Sequence, residues 1–109
     1  MGLAIRGGHL IDPANDVDGE NDLFINNEGF VAGIGKAPAG FEITKTLDAK
    51  KYVVCPGLVD IRARMREPGL EYKATIDSET RAAVSAGITT LCCPPDTTPV
   101  IDTPAMAQM

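Results

Sequence analysis

The chain holds one histidine, three cysteines without CxxC spacing, no apolar run of about 18 residues and no basic excess. Each shortage removes a class of function. The net charge of −5 argues against general nucleic-acid binding, which calls for a basic surface. Without a long apolar run, no membrane-spanning helix is expected. Met1-Gly2-Leu3-Ala4-Ile5-Arg6 lacks the basic-then-apolar order of a secretory signal, and Arg6 stands where a myristoylation motif needs Ser or Thr. The expected compartment is cytoplasmic. Cys55, Cys92 and Cys93 are odd in number, and adjacent strand residues face opposite ways. They read as reduced core residues rather than as a zinc or redox site. His9 lies near a strand end beside Gly8, with no carboxylate or cysteine pattern around it, and reads as structural.

What is present fits one small globular domain: 109 residues, 44% of them hydrophobic. Residues 2–11 read as a strand with a turn or bulge at Gly7-Gly8, closed by Asp12-Pro13-Ala14-Asn15. Residues 15–21 read as polar loop and 22–25 as a short strand. Asn26-Asn27-Glu28-Gly29 reads as a hairpin turn, because Asn and Gly tolerate positive φ, and 30–34 as the returning strand. Gly35 to Gly40 is loop, and 41–47 and 51–54 add two more strands. Residues 1–54 are thus expected to form part of a β-sandwich.

The most informative stretch runs from Val54 to Gly69. At a strand's two-residue period it separates into an apolar face of Val59, Ile61, Ala63 and Met65, and a second face of Leu58, Asp60, Arg62, Arg64 and Arg66. Glu67-Pro68-Gly69 ends it. A solvated edge strand gives the same pattern. Downstream, Asp77 or Ser78 is the expected helix N-cap, with Ile76, Thr80, Ala83, Val84 and Gly87 on one face and a stop at Ala86-Gly87. Residues 88–93 read as an apolar, β-branched strand of the kind buried in parallel sheets. The order strand, helix, strand defines one right-handed βαβ unit in residues 55–109. Asp102-Thr103-Pro104 reads as a second helix start. Half a sandwich and one βαβ unit do not close a core, so an N-terminal part of a larger α/β protein is expected.

The run Val54-Cys55-Pro56-Gly57-Leu58-Val59-Asp60, followed by Arg66-Glu67-Pro68-Gly69-Leu70-Glu71-Tyr72-Lys73, resembles the dihydroorotases of the amidohydrolase superfamily. Thr89 to Asp102 resembles the family's second-strand motif, and Leu10-Ile11-Asp12-Pro13 with the Gly29 hairpin resembles its N-terminal strands. The resemblance implies a (β/α)8 TIM barrel with a β-sandwich built from both termini. Residues 1–54 would supply the N-terminal sandwich portion and 55–109 the first βαβ unit of the barrel.

The family pattern between those motifs is His-x-His-x-Arg, in which two imidazoles bind zinc and the Arg grips the substrate carboxylate. Arg62 and Arg64 stand in place of the histidines, and Asp96 in place of a substrate-binding Asn; only Arg66 matches. Zinc needs a lone-pair donor, which a permanently protonated guanidinium does not offer. Zinc lowers the pKa of bound water from roughly 16 to roughly 7, an activation of about 12 kcal/mol. No other residue of the chain replaces that, so no cofactor and no catalytic residue are expected here. Arg62 and Arg64 become vestigial metal positions, and Arg66 and Asp96 substrate-like positions. Asp60 and Asp96 are the expected ion-pair partners of the arginines, with an anion-binding pocket as the rival use of the same cluster.

The family contains non-catalytic members that associate with the aspartate transcarbamoylase catalytic subunit and support its assembly in pyrimidine biosynthesis. The resemblance implies that role here, in an oligomer, with neither nucleic acid nor membrane as partner. A second expectation is an active cyclic amidohydrolase with an atypical metal site, converting dihydroorotate to N-carbamoyl-aspartate. A third is a regulatory protein that binds small anions.

Overall fold

The computed structural model of the chain describes residues 2–108, which fall into two compact units that meet in sequence at Pro56 and Gly57. The first unit is built on one long strand, β1 (Gly2–Asp12). Antiparallel to it runs β2 (Val17–Ile25), which turns through Asn26–Gly29 into β3 (Val31–Ile34). The Asn26 side chain holds that turn by accepting from the amides of Glu28 and Phe30 at 3.0 and 2.9 Å. On the other side of β1 lie two parallel partners, β4 (Ile43–Asp48) and β5 (Val53–Val54). The result is a five-stranded sheet in the order β3-β2-β1-β4, with β5 also on β1.

Gly7-Gly8 explains how one strand serves two parallel neighbours. The register of β1 against β2 shifts between Ile5 and Gly8, and Gly7 takes φ +70°. Before the bulge β1 pairs with β4, and after it with β5. A Cβ on Gly8 would lie 2.6 Å from a Val54 methyl and 3.0 Å from the Ala49 methyl, so no larger residue fits. The buried apolar residues are few: Ala4, Leu10, Phe24 and Ala49. Phe24 meets Phe41 edge to face at 5.8 Å, and the Arg6 guanidinium lies 5.6 Å from the Phe24 ring centroid while pairing with Asp22 at 2.7 Å.

Two expectations are corrected in this unit. Residues 15–21 are not wholly loop: Pro13–Asn15 forms a 3-10 turn and the chain enters β2 at Val17. Asp18 and Glu20 are exposed while Val17, Gly19 and Asn21 are half-buried, so pairing to β1 tolerates their polarity. His9 does have a carboxylate partner, since its Nε2 lies 2.5 Å from the Asp18 carboxylate across the β1–β2 pair. The sheet creates that contact from residues nine apart.

The second unit is a βαβ unit. β6 (Leu58–Asp60) and β7 (Ile88–Leu91) pair in parallel, and α1 (Ile76–Ser85) joins them. A short α2 (Pro104–Ala107) follows, capped by Thr103, whose hydroxyl accepts from the Met106 amide at 3.3 Å. The N-cap of α1 is Thr75 rather than Asp77 or Ser78. Thr75 and Ser78 form a reciprocal capping box, with Asp77 and Glu79 in the first turn. Gly87 at φ +85° ends the helix. The inward side of α1 is Glu79, Thr80 and Ala83, all half-buried; Val84 is 67% exposed. Among the described residues, no helix is long and apolar enough to cross a membrane.

Three further expectations change here. The alternation read over residues 58–66 is regular strand only over Leu58–Asp60, and Ile61 beyond it is 82% exposed. The strand at 88–93 ends at Leu91, and Thr89 and Thr90 are exposed rather than buried. Cys55, Cys92 and Cys93 are free and exposed, not core residues. Cys55 lies between β5 and β6, and the other two follow the end of β7, where no layer covers them among the described residues.

Phe24→Ala is expected to cost about 3 kcal/mol, because it empties the most buried aromatic position of the sheet. Thr75→Ala is expected to cost about 1 kcal/mol and Thr75→Ser much less, since Ser retains the capping oxygen. Urea denaturation followed by circular dichroism measures both. An unchanged midpoint for Thr75→Ala would contradict the capping assignment.

Candidate functional site

Chemistry-bearing side chains collect where β6 and β7 end. Beyond Asp60 the chain leaves the regular ladder but stays tied to its neighbour. Cys92 donates its amide to the Asp60 carbonyl at 2.8 Å, and Ala63 donates to the Cys92 carbonyl at 3.0 Å. Farther out, Thr98 donates to the Pro68 carbonyl at 3.1 Å. The segments after the two strands are therefore tied together at Cys92 and again at Thr98.

Arg64 supplies the side-chain tie between them: its Nε lies 3.3 Å from the Asp96 carboxylate, with both side chains about half exposed. Asp60 is used differently from expectation. Its carboxylate accepts from the Arg62 backbone amide at 2.9 Å, and no guanidinium lies within ion-pair distance of it among the described residues. Asp60, Arg62 and Arg64 share a depression of about 280 Å³ with Glu79 of α1. Arg66 is half-buried, and its carbonyl accepts from the Leu70 amide at 2.8 Å. Arg62 and Arg66 form no ion pair among the described residues.

Sequence reasoning missed the acids that fix this region. The Glu67 carboxylate accepts from the Ile76 amide at 2.8 Å, so the residue after Arg66 also caps the N-terminus of α1. Glu71 accepts from the Gly69 amide at 2.8 Å, and that bond, with its own backbone amide, holds its carboxyl below the ordinary carboxylate value. The available signal was position: both acids flank Pro68-Gly69 just ahead of a helix start. Gly69 itself takes φ +105°, and a Cβ there would lie 2.4 Å from the Thr98 carbonyl oxygen. Glu67 also lines an apolar cleft of about 310 Å³ with Met65, Ile76, Cys93, Thr97 and Ile101. Partial desolvation of the largely exposed Cys93, and then the charges of Cys92 and Asp60, push its thiol above its ordinary value, which disfavours the reactive thiolate.

Donor chemistry decides whether a metal fits. Arg62 and Arg64 have no lone pair to give. Among the described residues, no three His, Cys, Asp or Glu side chains are grouped to hold an ion. The residues present at the ends of β6 and β7 do not fit zinc.

The chain thus combines a β-sheet with a strand-helix-strand unit whose charged groups gather at the strands' C-terminal ends. The L-hydantoinase (dihydropyrimidinase) from Arthrobacter aurescens has this mixed α/β fold, with a TM-score of 0.76 and 26% identity over 95% of this chain and 23% of its own. Residues 51–109 match the family described as dihydro-orotase-like, and the chain belongs to that family. It is 52% identical over its full length to a "Dihydroorotase-like protein" of Pseudomonas aeruginosa, covering 26% of it. It is 47% identical over 108 residues to a "Dihydroorotase" of Trichlorobacter lovleyi, covering 25%. The chain thus spans about a quarter of the length of the curated relatives it matches.

Gly69→Ala is expected to destabilise the fold by about 1–3 kcal/mol, through the left-handed backbone and the Thr98 contact. A urea midpoint equal to that of the unmodified protein would contradict this packing. The Gly69 amide should also report the Glu71 titration by NMR, with a midpoint below the ordinary carboxylate value. A lowered pKa means the bond is present above the unfolded value and is lost as pH falls through the folded one. A midpoint at or above the ordinary value would remove the bond from the account.

Proposed function

We propose that this chain is part of a non-catalytic dihydroorotase-like protein of pyrimidine biosynthesis that binds the aspartate transcarbamoylase catalytic subunit and supports its assembly. In this reading residues 1–54 contribute to a β-sandwich, and 55–109 open a (β/α)8 barrel. The carrying observation is the pair Arg62 and Arg64 where the family pattern has zinc-binding imidazoles, with Arg64 engaged by Asp96. Loss of the metal-bound hydroxide removes about 12 kcal/mol of water activation, far more than an arginine can return. Asp96 works against the reaction as well, since its carboxylate would face an anionic substrate with like charge. The naming of the Pseudomonas aeruginosa relative as "Dihydroorotase-like protein" accords with this reading.

The Trichlorobacter lovleyi relative, named "Dihydroorotase", favours a second reading. There the protein is a cyclic amidohydrolase acting on dihydroorotate, with an atypical metal site and Arg66 holding the substrate carboxylate. The two readings differ in what the protein must touch: a partner subunit in one, a small cyclic amide in the other.

Size-exclusion chromatography with light scattering separates them. The full-length protein, mixed with aspartate transcarbamoylase catalytic subunit from the same source, is expected to elute as one joint species of defined mass. Separate elution across the micromolar range would remove the scaffold role and leave the second reading in its place.

A further inference from the structure

We infer that Asp96 is a tethered counter-anion for Arg64, and that this internal carboxylate keeps the arginine cluster closed to free oxoanions such as phosphate. The inference rests on the reading above, in which no metal occupies this cluster. Arg62, Arg64 and Arg66 lie within five residues of one another in an irregular segment. Arg62 and Arg64 line one depression, and guanidinium groups that share a depression ordinarily attract an oxoanion, because the planar fork matches its geometry. The nearby acids are not equally free to prevent this. Asp60 is committed to the Arg62 backbone amide at 2.9 Å, and Glu67 to the Ile76 amide at 2.8 Å. Glu79 lines the same depression as Arg62 and Arg64 without an ion pair to either among the described residues. Among the described residues, Asp96 alone reaches a guanidinium of the cluster.

The contact is also of a kind that can be displaced. It is a single Nε···Oδ2 approach of 3.3 Å between side chains 53% and 43% exposed, rather than a two-pronged pair. Pairs this exposed favour the closed form by only about two- to fivefold. A carboxylate on the neighbouring segment needs no more than that to outcompete dilute anions, because it is held close at all times. It also repels a second anion, an effect worth a further few-fold at low ionic strength. Together these predict that removing the charge at position 96 tightens oxoanion binding about five- to tenfold.

The test is titration of the full-length protein with inorganic phosphate at low ionic strength, followed through the Arg64 Nε–H signal and by calorimetry. Asp96→Asn keeps the side chain's shape and should gain about five- to tenfold in affinity over the unmodified protein. The combined Arg64→Ala, Asp96→Asn variant should lose that gain. Equal affinity for the unmodified protein and Asp96→Asn, including no binding by either, would overturn the inference, as would a gain that survives removal of Arg64. Zinc content of the same preparations reads the metal question separately. A zinc-free protein with no gain in Asp96→Asn sinks only the counter-anion role. A zinc-loaded protein that shows the gain sinks only the metal-free reading.

Discussion

A guanidinium group gives up neither its proton nor a lone pair, and it must be matched by an acid, an anion or water wherever it sits. Three of them follow one short parallel strand in this chain. That constraint shapes what surrounds them. The segments after β6 and β7 are knitted by backbone hydrogen bonds, and one carboxylate, Asp96, is carried across from the second segment to meet Arg64. The same chemistry that forbids a metal donor set at Arg62 and Arg64 therefore builds the site's own internal contact.

The two units meet different physical demands. In the first, β1 does most of the organising: one bulge at Gly7-Gly8 lets it hold β4 and β5 in succession while β2 covers its other edge. Its core is thin, with Phe24 the largest buried side chain, so the sheet's stability concentrates at few positions. In the second, helix capping and loop packing carry the weight. Thr75 and Ser78 cap α1, Glu67 adds an acceptor from the motif loop, and Gly69 permits the close approach to Thr98. Motif residues thus serve the local fold as well as any chemistry, and Glu67 in the Arg-Glu-Pro-Gly run is the clearest case.

Local signals were the legible ones. The Asn26–Gly29 turn, the Gly7-Gly8 bulge, the helix stop at Gly87 and the strand-helix-strand order all follow from backbone freedom and periodicity, and the structure has each of them. What depended on a distant partner was not legible. Residues 17–21 are strand because β1 pairs with them, despite their polarity. Asp18 meets His9 only because that register brings them together. The alternation of residues 58–66 described a strand longer than the three residues that are regular, because hydrogen bonding past Asp60 becomes irregular and frees Ile61 to solvent. In the site, Asp96 was legible as an arginine partner through its charge and its expected place on the strand neighbouring the arginines, whereas the use of Asp60 on a backbone amide depended on the turn that follows it.

The central claim is that Arg62 and Arg64 have removed the metal-dependent reaction. Its most direct measurement is dihydroorotate turnover by the full-length protein, with zinc content determined on the same sample by elemental analysis. The account predicts zinc well below one equivalent per chain and no turnover above background, with or without added zinc. Stoichiometric zinc together with turnover that is lost on chelation and restored on reloading would contradict it.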